Sequence, residues 1–391
     1  MKNILIVTPT LQNGGGVIRS LQNFLMRIPD NKYSIDVLAT NYSSCDIVDL
    51  QRCRILKGNF IINGITSVYN QTKGCKYRYL LLLIKLMLKC FDFIGIRETF
   101  EDSVFKKIGK AYSNYDLVIA FQEGSTTKFV SYIKSRTKIA WIHCDYKERY
   151  KLIKKSEFGI YNSYDLIISV SKYTKDNFDS IYPKLSYKSD FIYNFLDTEY
   201  ILHSSKEDVK DLNLDSSKII LISIGRICDV KQFHIIPKII SEILNNGITS
   251  FKWILMGVVD DEKELNKIQS EVTKYNISSD NFEYIGKRNN PYPYILNSDV
   301  LVSTSKSEAC PFVVNEARVL NVPVVANNYP SIKEFIQDGK NGYITSVDTM
   351  SNCLTELISD KHKIDILKQY TILHPFTNHE CIKKFYRILD M

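Results

Sequence analysis

The sequence lacks the short patterns that mark several common kinds of functional site. Its nine cysteines are an odd number and form no Cys-x-x-Cys pair, which disfavours a zinc site or a disulfide framework and favours reduced, buried thiols. No Asp-x-Asp pair is present to hold a metal-bound diphosphate, and no His/Cys cluster indicates a metal ion. A Gly-x-Gly-x-x-Gly fingerprint and the Gly-Lys-Ser/Thr of a P-loop are also missing. We therefore expect no metal site.

Long hydrophobic runs are scarce as well. The apolar run within Met1–Pro9 is too short for a signal peptide and better matches a first β-strand, so we expect a cytoplasmic protein. The most apolar stretch, Tyr77–Phe91, is interrupted by Lys85 and is too short and too charged for a comfortable transmembrane helix. Two interpretations of it stay open: a helix packed on the N-terminal sheet, or an interfacial membrane helix with basic flanks.

The chain has enough apolar content for two cores, and its charge is uneven. It contains 391 residues, 45% of them hydrophobic, which predicts two domains of nearly equal size. Residues 1–200 hold 29 Lys and Arg against 19 Asp and Glu, whereas residues 201–391 hold 22 against 24. A basic first half suits an anionic membrane surface or an acidic acceptor, while nucleic acid has no motif in its support.

Short apolar runs alternate with helix-length amphipathic segments, which is typical of parallel α/β sheets. We predict the α/β class, with a doubly wound sheet in each half. The expected domains are residues 1–200 and 201–375, with a helix over 376–391, after Pro375, that packs back on the first domain. The strand candidates are Ile4–Thr8, Ile35–Ala39, Leu117–Phe121, Lys138–His143, Leu166–Val170, Phe191–Tyr193, Ile219–Ile224, Phe251–Met256, Phe282–Ile285, Val300–Ser303, Val322–Ala326 and Gly342–Thr345.

Two loops that follow predicted strands contain residues suited to phosphate. Gly15 and Gly16 precede a helical pattern, and glycines there let a ligand approach the N–H groups of a helix start; a plain connection is the alternative. Arg226 and Lys231 lie between a strand and a helix expected from about Gln232. Arg binds phosphate oxygens with its planar fork and Lys supplies a point charge, although solvated side chains are the alternative here. Open α/β sheets bind ligands at such strand ends.

The most informative stretch is Ser305–Ala317, which places Glu308 just before a predicted helix start and Glu316 inside that helix. A helix N-terminus after a strand attracts phosphate, so the two carboxylates would flank a phosphate pocket. A glycosidase needs carboxylates roughly 5 to 9.5 Å apart, whereas eight helical residues rise about 12 Å. Separate roles, in which Glu316 binds a ribose and Glu308 binds a sugar, agree better with this spacing than a catalytic pair does. A charge that complements the helix dipole is the alternative for either residue.

Taken together, these elements resemble the retaining glycosyltransferases of family 4, among the group 1 glycosyl transferases, which have the GT-B architecture of two facing Rossmann-like domains. The resemblance covers essentially the whole chain and is strongest over Ile219–Thr345. The family's Gly-Arg…Lys-Gly, Ser-Glu-Gly-x-Pro…Glu-Ala, Pro-Val-Val-Ala and Asp-Gly-x-Asn-Gly elements look like Gly225–Lys231, Ser307–Ala317, Pro323–Ala326 and Asp338–Gly342.

The resemblance implies a role for each matching residue. Arg226 and Lys231 bind the donor diphosphate, Glu316 its ribose and Glu308 the transferred sugar. His143, at the end of a predicted strand, lies near the sugar; a purely structural histidine is the alternative. The donor-binding residues come from both halves of the chain. Gly15 and Gly16 face the diphosphate and acceptor, and Ala309 and Cys310 shape the sugar pocket. The backbone around Pro311, Phe312 and Val313 contacts the sugar or the phosphate.

The family's activity is then the expected function. It is transfer of a sugar from a nucleotide diphosphate sugar, in the first place a UDP-sugar, to a hydroxyl of a glycan or lipid-linked saccharide, with retention and without a metal or cofactor. Such a protein works in the cytoplasm, or peripherally on the inner face of the membrane, in cell-surface polysaccharide synthesis. The alternatives are a GT-B sugar-nucleotide epimerase, which needs no acceptor, and a catalytically silent binding module.

Five residues depart from the family pattern. Ala309 and Cys310 stand where glycine and a larger residue are frequent, which would give the sugar pocket a different shape. Gln232 replaces the glycine after the lysine, which would tighten that loop. Arg318 stands where an apolar residue is usual. Asn321 replaces a helix-ending glycine, a mild change because asparagine tolerates the left-handed conformation.

Overall fold

The fold is taken from a computed structural model of the chain. It describes residues 1–11, 15–29, 31–41, 50, 52–56, 58–66, 78–153, 156–209 and 217–391, so Tyr77 and the residues just before Gly15 lie outside the described residues. The chain divides into two compact units: Met1–Phe195 with His379–Met391, and Leu196–Asn378. These bounds differ from the predicted domains by five residues or fewer.

Unit 1 is built on a parallel sheet with the strand order β3-β2-β1-β4-β5-β6-β7. Its central strands are buried on both faces, which is why they are continuous apolar runs. The strands are β1 (Lys2–Thr8), β2 (Tyr33–Ala39), β3 (Arg54–Leu56), β4 (Leu117–Ala120), β5 (Thr137–Ile142), β6 (Leu166–Ser169) and β7 (Ser189–Phe191).

Helices cover this sheet, and the C-terminal helix of the chain is one of them. Its Phe385 is fully buried, with its ring 4.3 Å from that of Phe24. The helices are α1 (Gly16–Met26), α2 (Phe60–Thr66), α3 (Arg78–Phe93), α4 (Arg97–Gly109), α5 (Ser125–Ser131), α6 (Tyr146–Ile153), α7 (Phe158–Asn162), α8 (Lys172–Ile181) and, from the end of the chain, α16 (His379–Asp390).

Unit 2 repeats the arrangement with the parallel order β10-β9-β8-β11-β12-β13. Its strands are β8 (Ile219–Ile224), β9 (Phe251–Met256), β10 (Phe282–Tyr284), β11 (Val300–Ser303), β12 (Val324–Asn327) and β13 (Gly342–Thr345). Its helices are α9 (Thr198–Ser204), α10 (Ile236–Asn245), α11 (Glu262–Lys274), α12 (Tyr292–Leu296), α13 (Phe312–Val319), α14 (Met350–Ser359) and α15 (Lys361–Leu373).

The predicted class is confirmed, because both sheets are parallel and doubly wound. All twelve predicted strands are present, with ends that differ by at most two residues. The sequence did not predict β3, a three-residue strand that pairs with β2 at the sheet edge and is exposed or half-buried. In each unit the strand order reverses once, between β1 and β4 and between β8 and β11, and ligands of such sheets bind outside the carboxyl ends at that point.

Helix α3 corresponds to the most apolar stretch of the sequence. Leu81 and Leu88 are buried on one side, whereas Tyr79, Leu83 and Leu86 are exposed on the other. Among the helices that the structure describes, none combines the length and apolar content needed to span a membrane.

Candidate functional site

The reversal point of the unit 2 sheet brings two loops together. One follows β8 and the other follows β11, and these strands are neighbours. The Lys306 N–H donates to the Val230 carbonyl at 2.8 Å, and the Thr304 hydroxyl donates to the Lys231 carbonyl at 2.6 Å. The Lys306 ammonium also pairs with Asp229 at 2.8 Å. These bonds fix the loop that contains Lys231 against the loop that contains Glu308.

Lys231 and Glu308 form an ion pair at this junction. Both side chains are 18% exposed, so the pair is largely desolvated yet open to solvent on one side. The Ser305 hydroxyl donates to the same Glu308 oxygen at 2.8 Å, and the Ser331 hydroxyl donates to the Glu308 backbone carbonyl at 2.6 Å. The carboxylate therefore has a fixed position, set by contacts from three loops of unit 2.

The backbone between Lys231 and α10 differs from the sequence expectation. The predicted helix is present but begins four residues later than Gln232: the chain makes 3-10 turns at Asp229–Lys231 and Phe233–Ile235, and α10 begins at Ile236. Gln232 lies between the two turns with φ +51°, in the left-handed region. This is the position where the resembled family has glycine, whose backbone adopts that conformation without strain.

Arg226 lies in the same loop as Lys231, but its guanidinium has another partner. It donates to the Asp260 carboxylate at 2.6 Å, and both side chains are about half exposed. An exposed ion pair of this kind contributes little to stability. Arg226 can therefore exchange Asp260 for an anionic ligand at a small cost in free energy, through a change of its side-chain rotamer.

Helix α13 contains Glu316 and begins at Phe312, four residues after Glu308. The segment from Glu308 to Glu316 is therefore only partly helical, and the rise of about 12 Å expected for eight helical residues does not apply to it. Glu316 lies on the buried side of α13 with 2% of its surface exposed. Asn321, just after the helix, has φ +57°, which confirms the expected tolerance of asparagine at a left-handed position.

The residues before and at the start of α13 have different exposures. Cys310 and Pro311 are buried, whereas Ala309, Phe312 and Val313 are half-buried. Of the three residues whose backbone is predicted to bind the donor, Pro311 has no N–H group, so the hydrogen-bond donors are the amides of Phe312 and Val313. The Asn315 N–H donates to the Pro311 carbonyl at 3.3 Å, and this is the first hydrogen bond of the helix. The N–H groups of the preceding turn have no partner within the helix and form its electropositive end.

In unit 1 the predicted residues also lie at carboxyl ends of central strands. Gly15 precedes α1, is exposed, and has no atom within 4 Å of the position where a Cβ would be; Gly16 is the first residue of α1 and is exposed too. His143 follows β5, and its N–H donates to the Glu123 carboxylate at 2.9 Å. Burial lowers the pKa of the His143 imidazole to about 3, so the ring is neutral at pH 7.

Several residues of this site were not singled out from the sequence. Ser305, Ser331 and Glu123 hold predicted residues in place, and Asp229 joins the two loops through Lys306. Their sequence signal is weak but real, because each follows the carboxyl end of a strand. Within the described ranges, no group of three His, Cys, Asp or Glu side chains is placed to hold a metal ion.

Comparison with solved structures defines the class of fold. The chain is similar over its whole length to the structure of HepE from Anabaena in complex with UDP and glucose, with a TM-score of 0.72, 14% identity and all of both chains covered. The chain thus has the predicted GT-B fold class, in which each unit is a Rossmann-like parallel-sheet domain.

Sequence comparison adds a family similarity for the second half of the chain. Residues 204–374 match the model of glycosyl transferases group 1, so this part of the chain is similar to that family. The chain is 25% identical over 213 residues to an uncharacterised glycosyltransferase of Methanocaldococcus jannaschii, covering 53% of this chain and 50% of that protein. It is 27% identical over 192 residues to the N-acetyl-alpha-D-glucosaminyl L-malate synthase of Bacillus anthracis, covering 49% and 48%. The chain thus spans about half the length of these curated relatives.

Proposed function

We propose that the protein transfers a sugar from a nucleotide diphosphate sugar, in the first place a UDP-sugar, to a hydroxyl of a glycan or lipid-linked saccharide. The observation that carries the proposal is the Lys231–Glu308 pair at the reversal point of the unit 2 sheet, within the part of the chain that matches group 1 glycosyltransferases. The UDP in the structure of Anabaena HepE supports uracil as the base of the donor.

Lys231 and Arg226 bind the donor diphosphate. The leaving diphosphate gains negative charge as the glycosidic bond breaks, and fixed positive charge in a partly desolvated site stabilises that change. Lys231 is held by the loop contacts that also hold Glu308, whereas Arg226 leaves Asp260 to reach the phosphates. The first turn of α13 adds N–H groups and the positive end of a helix dipole. With this much positive charge, transfer needs no metal ion.

Glu308 binds the transferred sugar through its hydroxyls. Its carboxylate already accepts bonds from Lys231 and Ser305, which lowers its nucleophilicity and fixes its direction. A binding role therefore suits it better than covalent attack. Glu316 binds the ribose, and Ala309 and Cys310 shape the pocket around the sugar.

Retention then follows from attack on the face that the diphosphate leaves. A phosphate oxygen takes the proton of the acceptor hydroxyl, the acceptor oxygen bonds to the anomeric carbon, and the sugar–phosphate bond breaks with its electron pair on the phosphate oxygen. No protein nucleophile is required, and positioning supplies much of the acceleration. Neutral His143 accepts or donates one hydrogen bond near the sugar. The reaction takes place at the inner face of the membrane, as a step of cell-surface polysaccharide synthesis.

A donor panel tests the activity and the site together. Purified protein is incubated with labelled nucleotide sugars and membrane extract, with and without EDTA, and NMR of the product gives its anomeric configuration. Glu308→Ala and Lys231→Ala should each lower transfer at least roughly a hundredfold. Lys274→Ala, which removes an exposed ion pair with Glu271 in α11, is the matched control and should transfer like the wild type.

The same assay separates the alternatives. Unchanged transfer in Glu308→Ala or Lys231→Ala would contradict the site assignment. Interconversion of a donor without any acceptor would indicate an epimerase. Binding of UDP without turnover of any donor would indicate a silent module.

Gly15 provides a test in unit 1. Its φ of −115° suits any residue and a Cβ there meets no protein atom, so the fold does not require glycine. If the diphosphate or acceptor approaches this backbone, Gly15→Ala should lower transfer about tenfold while the free energy of unfolding changes by less than about 1 kcal/mol, the usual range for an N-cap. Wild-type transfer in Gly15→Ala would place the substrates elsewhere.

A further inference from the structure

Helix α3 exposes a row of large apolar side chains to solvent. Tyr79 is 83% exposed, Leu83 61% and Phe93 92%. The exposed apolar residues on the helix and directly after it are Tyr79, Leu80, Leu83, Leu86, Met87, Phe93 and Ile94. Single exposed apolar residues are ordinary, but a contiguous group of this size on one helix marks an interaction surface.

The spacing places these residues on one face. Tyr79, Leu83, Leu86 and Phe93 are separated by four, three and seven positions, which is the spacing of a single helical stripe. The opposite face holds Leu81 and Leu88, which are buried against unit 1. Helix α3 is therefore apolar on two sides, of which only one packs against the part of unit 1 that the structure describes.

Positive charge is concentrated around the same segment. Residues 51–100 contain nine Lys and Arg against two Asp and Glu, which is nearly the whole excess positive charge of the protein. Lys85 and Lys89 lie on α3 itself, outside the exposed stripe. An apolar helix face bordered by cations is the pattern of a helix that lies in the interface of an anionic membrane.

We infer that the exposed face of α3, from Tyr79 to Ile94, inserts into the headgroup and upper acyl region of an anionic lipid bilayer. Sixteen helical residues extend about 24 Å, which is less than the hydrocarbon thickness of about 30 Å. The helix therefore lies in the plane of the membrane surface and does not cross it. The stripe enters the apolar region, and the lysines remain at the level of the lipid phosphates.

A second copy of the chain is the competing occupant, and charge argues against it. Two copies joined through α3 would bring two strongly basic segments together, whereas an anionic surface neutralises them. The inference is independent of the proposed function, because membrane binding is measured without donor or acceptor. A protein that binds vesicles but transfers no sugar would refute only the proposed function.

Co-sedimentation measures the binding. The probes are vesicles of phosphatidylcholine alone and vesicles with an equal part of phosphatidylglycerol. Wild-type protein should bind the anionic vesicles at least tenfold more tightly. Raising the salt concentration from 0.1 to 0.5 M should weaken the binding, because it shortens the screening length roughly twofold. Equal affinity for both vesicles, or absence from anionic vesicles at every salt concentration, would overturn the inference.

Matched variants locate the surface. Leu83→Ser with Leu86→Ser should reduce the affinity for anionic vesicles at least about tenfold, because both side chains lose their transfer into the membrane. The matched control is Leu373→Ser, which changes a 73% exposed leucine of α15 and should bind like the wild type. Lys89→Glu should weaken binding and Lys361→Glu, an exposed charge of α15, should not. Unchanged binding in the Leu83/Leu86 variant would overturn the inference.

A fluorescence probe reports insertion directly. The native tryptophans, Trp141 and Trp253, are both buried, so a tryptophan on α3 gives a distinct signal. Phe93→Trp should shift its emission to the blue and become quenched by brominated lipid when anionic vesicles are added. An unshifted Phe93→Trp emission on vesicle-bound protein would show that another surface binds. A stable dimer in light scattering without vesicles, lost in the Leu83/Leu86 variant, would assign the face to a second copy.

Discussion

At the scale of single residues, Gln232 has the most strained backbone near the candidate site. Its φ of +51° brings a β-carbon close to the backbone, a conformation that costs L-residues about 1–2 kcal/mol relative to the right-handed one. Gln232→Gly removes this strain but makes the unfolded chain more flexible, so we expect a net gain of about 0.5–1 kcal/mol in the free energy of unfolding, measured with urea. Gln269→Gly, within α11, is the control and should lose about 1 kcal/mol. A loss in Gln232→Gly would mean that its side chain is needed.

His143 should make stability depend on pH. Its pKa is about 3 in the folded protein, below the ordinary value near 6.5, so below pH 6.5 the unfolded chain binds a proton that the folded protein does not. Stability is therefore lost as pH falls from 6.5 towards 3, by about 2 kcal/mol between pH 6.5 and 5. Urea unfolding of the wild type and of His143→Gln at pH 7 and 5 isolates this contribution, because the other groups titrate alike in both. Equal pH dependence in the two proteins would show that His143 is protonated when folded.

At the scale of helices and strands, a structural feature can be predicted from the sequence when the residues that form it are close together in the chain. Strands such as β8 and β11 are found because a strand buried on both faces must be a continuous apolar run, which is a local property. The edge strand β3 has no such run. The partners of the site residues are not local either: Arg226 and Asp260 are 34 positions apart, and Ser331 and Glu308 are 23 apart. Such pairs depend on which strands are neighbours.

The sequence pattern predicts helix α16, but only its contacts in the structure show how strongly it is packed against unit 1. Phe385 is fully buried between the rings of Phe24 and Phe195, with centroids at 4.3 and 5.2 Å. Phe385→Ala should cost about 3–5 kcal/mol, because it removes a large side chain from a packed cluster. Hydrogen exchange should then rise in the strands of unit 1. Arg387→Ala, at an exposed position of the same helix, should leave exchange unchanged; a similar rise in both variants would refute the packing argument.

At the scale of the whole molecule, unit 2 is inserted into unit 1. The chain leaves unit 1 after Phe195 and returns to it at His379. The two ends of unit 2 are joined, because the Asn378 side chain donates to the Leu196 carbonyl at 2.6 Å and accepts from the Leu196 N–H at 3.3 Å. All four charged residues of the proposed donor site lie within unit 2. The basic residues that favour a membrane lie mainly in unit 1, so the two halves of the sequence carry separate binding functions in our proposals.

This insertion predicts which parts of the chain fold alone. Residues 196–378 contain a complete doubly wound sheet with adjacent ends, and Trp253 is their only tryptophan, so the fragment should unfold cooperatively in urea by fluorescence. Residues 1–195 alone lack α16 and the contacts of Phe385, and should be less stable by about 3 kcal/mol or more than the same residues joined to 379–391 through a short Gly/Ser linker. Equal stability of the two unit 1 proteins would show that α16 is dispensable. A fragment 196–378 without a cooperative transition would show that unit 2 needs unit 1 to fold.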